Sequence, residues 1–176
     1  MNGLPDYLDH NLRILFIGYN PGLRSAELGH HYAGRSNSFF PFLYKSGLID
    51  EPLSFEDDHR LLPRYRYGLT NLVARPTLGI KDLTRNDYVE GATLLREKLQ
   101  RYQPMIAAYV GIGVYKYFSG RSTVQPGLQE NPVVEGVTDF VLPSTSGLNH
   151  LAYQEKFSWF VALRKLLNDR ERKLEI

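Results

Sequence analysis

Along this chain the apolar residues fall into two kinds of run. The first kind is short and nearly unbroken, as in "ILFIG" at 14–18 and "MIAAYV" at 105–110. An unbroken apolar run of that length that stops at a glycine or a turn predicts a strand buried on both faces. Strands are predicted over residues 13–18, 68–73 and 105–110, with one or two more in 132–142 around a turn at Gly136. The second kind recurs every third or fourth residue. In 84–102, Tyr88, Ala92, Leu95, Leu99 and Tyr102 share one helical face, and Arg96, Lys98 and Arg101 lie off it. Thr84 followed three residues later by Asp87 reads as the helix's N-cap. Residues 153–169 repeat the pattern with Phe157, Phe160, Val161, Leu163 and Leu167. Shorter helices are predicted over 38–45, with Pro41 in the first turn, and over 114–118 after "GIG". The stretch 48–66 is polar and Pro-punctuated, and reads as loop with a helix near 57–62.

Strands therefore alternate with helices. That alternation predicts an α/β fold: a single three-layer domain over residues 1–176, with a central, mostly parallel sheet flanked by helices. Two of the strands run straight into punctuated loops, "YNPGLRS" at 19–25 and "STSGLNH" at 144–150. In open sheets of this kind ligands bind beyond the carboxyl ends of the strands, so both loops are expected to open onto one site.

Length, composition and charge narrow the classes. With 176 residues, 43% hydrophobic and 23% charged, the chain is an ordinary globular one. The 21 Lys+Arg against 19 Asp+Glu give a net charge of +2, which permits contact with a polyanion without demanding it. The absence of cysteine excludes disulfides, thiolate catalysis and iron–sulfur clusters. No apolar run approaches the roughly 18 residues that would span a membrane. The N-terminus "MNGLPDYLDHNL" has neither a basic nor an apolar signal segment. An intracellular protein is expected, cytoplasmic in a bacterium or nuclear in a eukaryote, with monomer as the default state.

The loops exclude several chemistries. A phosphate-cradling P-loop needs four residues between its glycines and then a lysine; "GYNPGLRS" has three between Gly18 and Gly22 and no lysine. "GIGVYKYF" lacks the third glycine of a dinucleotide-binding turn. "STSGLNH" is not a nucleophile elbow, and its Ser and Thr residues suit a turn that bonds its own backbone. None of the five histidines stands four residues from another with a glutamate between, so neither metal nor another cofactor is expected.

What the first loop does offer is Asn20 and several backbone N–H groups. A carboxamide is no base near neutral pH, but it can orient a water. That suffices only for a very reactive electrophile such as an oxocarbenium ion, which points to cleavage of an N-glycosidic bond. The residues taken by themselves are equally served by a plain Asn-Pro-Gly turn.

The motifs in combination resemble a known family. "GYNPGLRSAELGHHYAGRSNSFFPFLYKSGL", "YGLTNLVARPT" and "LPSTSGLNH" resemble, in that order, the three motif regions of the mismatch-specific uracil-DNA glycosylase and thymine-DNA glycosylase family, and span about residues 14–150. The resemblance implies that Asn20 positions the attacking water and that Tyr32 stacks on the flipped base. It implies that the backbone amides of Tyr19 and Tyr32 bond the base's carbonyl oxygens and stabilise the departing anion. Asn37 is implied as support for the pocket. Ser144 falls where bacterial mismatch enzymes carry Asn and thymine-DNA glycosylases carry Ser. Gly147, Leu148 and Asn149 are implied as a wedge, with Leu148 filling the gap left by the flipped nucleotide, and the preceding Ser146 belongs to the same DNA-entering loop. The implied partner is double-stranded DNA holding a mismatched or damaged base, extruded because C1′ cannot be reached inside a duplex.

Arg24, Arg75 and His150 flank the motif loops and are the expected phosphate contacts, with Lys116, Arg121 and the cluster His59, Arg60, Arg64 and Arg66 as further candidates. No lysine lies in either loop, so a monofunctional enzyme is expected, without a Schiff-base lyase step. Two other readings stay open: a slow or inactive protein that binds mismatches or abasic sites, and an enzyme acting on free nucleosides.

Overall fold

The computed structural model describes residues 3–147 and 151–175. Its centre is a five-stranded sheet built from β1 (Ile14–Gly18), β2 (Tyr67–Asn71), β3 (Ile106–Val110), β4 (Gly127–Leu128) and β5 (Thr138–Leu142). The strand order is β2-β1-β3-β5-β4. β1 pairs parallel with β2 and β3, and β3 pairs parallel with β5. Only β4 runs antiparallel, against β5. The outer edge of β2 is covered at Tyr7, which exchanges two backbone hydrogen bonds with Leu69, 2.9 and 3.0 Å long.

The unbroken apolar strands are explained by two cores, one on each face. Ile14, Phe16, Tyr67, Leu69, Ala108 and Phe140 point to one face. They pack there with α2 (Phe39–Lys45), α3 (Leu61–Tyr65) and α6 (Tyr153–Leu174). Leu15, Ile17, Ala107, Tyr109 and Val141 point to the other, against α4 (Arg85–Tyr102) and α5 (Ile112–Ser119). Successive side chains alternate in direction, so a strand that is buried on both sides needs an apolar residue at every position. The three-layer α/β arrangement is the one that the alternation predicts.

Several boundaries differ from the sequence expectation. The first motif loop is shorter than read, because α1 (Leu23–Leu28) starts inside it. The loop at 48–66 holds a 3₁₀ turn at Phe55–Arg60 that runs directly into α3. β2 ends at Asn71 rather than 73. The stretch before Gly136 forms no strand; β4 lies farther back, at Gly127–Leu128. Gly136 does turn the chain, with φ of 90°. α6 continues to Leu174, and α5 extends to 112–119. The α4 cap is as predicted: Thr84 Oγ1 accepts from the Asp87 amide at 3.2 Å, and Asp87 accepts from the Thr84 amide at 2.8 Å. Pro41 sits at the third position of α2, where its missing N–H would have had no helical partner.

Candidate active site

All four parallel strands deliver residues to one cavity at their carboxyl ends. β2 ends in Asn71, β1 in Gly18 and β3 in Val110, and Ser144 lies two residues beyond β5. All four line a cavity of about 550 Å³ together with Asn20, Arg24, His31, Tyr32, Asn37 and Thr77. It opens where the chain leaves central β1 for β2 on one side and β3 on the other, the usual place for a ligand in such sheets. Among the described residues that line it there is no aspartate or glutamate.

Asn20 is half-buried at the wall, and its orientation follows from its partners. Its amide nitrogen donates to the Arg75 carbonyl and to Thr77 Oγ1, both at 2.8 Å. A carbonyl can only accept, so the NH₂ end must face that way. Thr77 Oγ1 in turn donates to the Gly79 carbonyl at 2.8 Å, which commits the hydroxyl proton and leaves a lone pair for Asn20. Both N–H donors are thereby used, and Oδ1 is left without a partner among the described residues. An acceptor held in this way can orient a water but cannot take its proton.

Gly18 explains why the first strand stops where it does. A Cβ there would meet Asn71 Oδ1 at 2.7 Å and Tyr32 Oη at 3.3 Å. Only a bare backbone lets the ends of β1 and β2 and the Tyr32 ring converge. Tyr32 stacks on Phe39 at 3.9 Å between ring centroids, 13° apart. Its Oη is the one buried side-chain polar atom without a hydrogen bond among the described residues, and burial pushes the phenol's pKa well up.

Tyr32 holds a left-handed backbone, φ 58°, which costs energy for a residue with a side chain. Its neighbours enforce it. The His31 amide donates to buried Asp58 at 2.8 Å, and His31 Nε2–H donates to the Pro5 carbonyl at 2.8 Å. Burial pushes the His31 pKa down, so the ring is a neutral strut. On the other side the Ala33 amide donates to Ser25 Oγ at 3.1 Å, and Arg24 Nε donates to the Ala33 carbonyl at 2.8 Å. α1 thus clamps both backbone groups of the residue after Tyr32. The other nitrogens of Arg24 have no carboxylate or carbonyl partner among the described residues.

The second loop closes the cavity from the β5 side. The Ser38 amide donates to the Thr145 carbonyl at 3.0 Å, joining the two motif segments. The Ser146 amide donates to Ser144 Oγ at 3.2 Å, and the Ser146 carbonyl accepts from buried Lys156 at 3.2 Å. Gly147 lies against residue 36, where a Cβ would come within 2.1 Å of Ser36 Oγ. Asn37 Oδ1 accepts from the Phe39 amide at 3.0 Å, which starts α2 and sets the stacked pair.

The model of the uracil DNA glycosylase superfamily matches residues 5–168, nearly the whole chain. This chain belongs to the uracil DNA glycosylase superfamily. Among solved structures, the solution NMR structure of a protein from Methanosarcina acetivorans, described there as a candidate uracil DNA glycosylase, superposes with a TM-score of 0.66. The two are 20% identical, and the match covers 94% of this chain and 97% of that one. At that identity the likeness speaks for the shared fold.

With the uracil DNA glycosylase fold in place, the sequence-derived site residues divide. Asn20, Tyr32, Asn37, Ser144 and Ser146 line one cavity, and Arg24 stands at its wall. Leu148, Asn149 and His150 lie outside the described residues. Tyr19, expected to act through its backbone amide, lines the same cavity. The ring lies on the start of α5, where a Cβ on Gly113 would fall 1.3 Å from Tyr19 Oη. Burial, with Tyr88 and Tyr117 nearby, pushes its phenol pKa up to about 12. This is the role of "GIG": the glycines make room for Tyr19, whose backbone alone remains for the cavity.

Arg75, expected as a phosphate contact, is already paired. Its guanidinium is held by Asp87 at 2.7 and 3.2 Å and by the Asp82 carbonyl at 2.9 Å, while its own carbonyl holds Asn20. It supports the site from behind instead of presenting a free charge. The basic cluster is similarly occupied: Arg64 pairs with Glu51 at 2.8 Å, Arg60 with Glu51 at 3.4 Å and Arg66 with Asp9 at 3.3 Å. Arg121 donates to Tyr115 Oη at 2.9 Å. Asn71 and Thr77 are the site residues that sequence reasoning passed over, although both lie in the quoted middle motif.

Among the described residues no group of three or more His, Cys, Asp or Glu side chains could hold a metal ion. No helix among them is long and apolar enough to cross a membrane.

Proposed function

We propose that this protein is a monofunctional DNA glycosylase that excises uracil from G·U mismatches in double-stranded DNA, with thymine from G·T as a slower substrate, and leaves an abasic site for base excision repair. The observation that carries the reading is Asn20: a carboxamide with both N–H donors committed and its oxygen left beside a cavity without carboxylates. Such a site suits a reaction in which the leaving group departs first.

The extruded nucleotide places its base against Tyr32, itself backed by Phe39. The C1′–N bond breaks, and its electron pair leaves with the base. Backbone N–H groups of Tyr19 and Tyr32 stabilise the anion as charge moves onto its carbonyl oxygens. Asn20 Oδ1 holds a water that adds to C1′ of the oxocarbenium ion; the water's proton passes to solvent or to the departing base. Asn71 and Ser144 offer the remaining side-chain hydrogen bonds to the base edge. Mismatch preference follows from energetics, since unstacking costs a few kcal/mol and costs least where pairing is already poor.

The test is single-turnover cleavage of a G·U duplex oligonucleotide by the natural protein and by Asn20→Ala. Abasic-site formation by the first and near loss in the second supports the reading. Binding without cleavage by either assigns the protein to the mismatch-reading class. Equal cleavage by both would place the water elsewhere.

A further inference from the structure

The turn that fixes Asn20 also displays two exposed apolar side chains. Thr77, which holds Asn20, is followed by Leu78, 81% exposed, and then by Gly79 and Ile80, 50% exposed. Leu23, at the start of α1 and one residue after the Gly22 that bridges to Thr77, is 39% exposed. All three line the cavity. A single exposed leucine on a protein surface needs no explanation, but three exposed aliphatic side chains lining one cavity form a lip.

The lip is built rigidly. The Thr77 amide donates to the Pro21 carbonyl at 3.1 Å, which bridges the turn to the Asn-Pro-Gly loop. The Gly79 amide donates to Asp82 Oδ2 at 3.1 Å, and the Asp82 amide returns to the Gly79 carbonyl at 3.0 Å. Arg75 holds the Asp82 carbonyl from below. The bonds of Thr77 and Gly79 thus fix the backbone on both sides of Leu78.

We infer that Leu78 and Ile80 form an apolar lip that packs against the bases flanking the extruded nucleotide in duplex DNA. This rests on the glycosylase reading and adds to it a second contact surface, in the segment that follows β2, whereas residues 144–147 follow β5. The geometric reason is proximity. Thr77 Oγ1 is 2.8 Å from the Asn20 amide, and Leu78 is the next residue. A polymer that brings C1′ to Asn20 must run on past Leu78, whereas any other partner seated there would block the cavity. Extrusion exposes the faces of neighbouring bases, which are apolar and which an aliphatic side chain covers well. Arg24 at the wall and Lys81 beside Ile80 supply positive charge for the adjoining phosphates.

The experiment compares the natural protein with L78S/I80S and with L128S, which alters a leucine on β4 that is as exposed as Ile80. Each is titrated by fluorescence anisotropy against a duplex bearing a tetrahydrofuran abasic analogue opposite guanine, and against the same strand unpaired. Loss of one buried leucine's worth of contact predicts affinity for the duplex on the order of tenfold weaker in L78S/I80S. A smaller loss is expected on the single strand, and none on the duplex in L128S. Equal duplex affinity of L78S/I80S and the natural protein overturns the lip and leaves the glycosylase reading intact. Equal losses on duplex and single strand also overturn it, because the contact would not then depend on stacked neighbours. Failure of the natural protein to bind either DNA overturns both.

Discussion

At the scale of single residues, the site depends on one hydroxyl. Thr77 accepts from Asn20 and donates to the Gly79 carbonyl, so its proton cannot be used elsewhere and the Asn20 amide has one stable orientation. Thr77→Val keeps the shape and removes both bonds. The Arg75 carbonyl then holds the Asn20 amide alone, so the side chain is looser and presents Oδ1 to the proposed water less steadily. We expect kcat for uracil release to fall roughly 10- to 100-fold, the range of a lost positioning contact. KM should change little, because base stacking on Tyr32 is untouched. A parallel rise in KM would mean that Thr77 acts in binding. Asn20 and Tyr32 could be singled out in the sequence only through the motif resemblance, because an Asn-Pro-Gly turn by itself is served equally by a plain loop. Thr77 and Asn71 were not, since an Asn at the end of a strand and a Thr in the loop after it are at home in any protein; only their convergence on Gly18 and Asn20 gives them a role. For Tyr19 the expectation concerned the backbone amide; that its ring packs on Gly111 and Gly113, some 90 residues away, was not visible in the sequence.

At the scale of elements, the strands and long helices were readable from periodicity, and the failures came where pairing is non-local. β4 is two residues long and exists only because β5 lies beside it, so no local pattern announces it. α1 is six residues long and is completed by Gly29 in a left-handed cap, φ 76°, a stop signal visible only once the start is known. The cap of α4 does more than begin a helix. Asp87 accepts from Thr84 and pairs with Arg75, whose carbonyl holds Asn20. The Arg75 guanidinium and the Thr84 bonds hold the Asp87 carboxyl well below its ordinary 3.8. A depressed folded-state value means that the unfolded chain takes up a proton first. The stabilisation is therefore present above 3.8 and is lost as the pH falls below it toward the folded value. Asp87→Ala should lower Tm at pH 7 and reduce activity through the loosened Arg75 backbone. The Tm difference from the natural protein should shrink as the pH is taken below 3.8. A difference that stays constant across that range would show that the Asp87 charge contributes nothing.

At the scale of the whole molecule, a net charge of +2 says little about binding a polyanion, because what counts is which cations near the site are already paired with carboxylates. Arg60, Arg64, Arg66 and Arg75 all pair with carboxylates, whereas Arg24 stands at the cavity without one. Sequence shows where basic residues cluster but not which are neutralised, because the partners of Arg64 and Arg75 come from separate turns of the chain. A cation that pairs with a phosphate releases a counterion and steepens the salt dependence of binding by about 0.9 in log–log slope for B-DNA. A cation held by a carboxylate must first break that pair and gains correspondingly less. Arg24→Ala should therefore flatten the plot of log K against log salt by roughly one unit and weaken binding to all sequences alike. Arg64→Ala, made in the denser basic cluster, should leave the slope unchanged, because Glu51 at 2.8 Å and Asp50 at 3.6 Å already hold that charge. The reverse result would move the DNA path off the carboxyl edge of the sheet and onto the 59–66 segment. That segment leads into the opposite end of β2, and a duplex centred on it could not also deliver C1′ to Asn20.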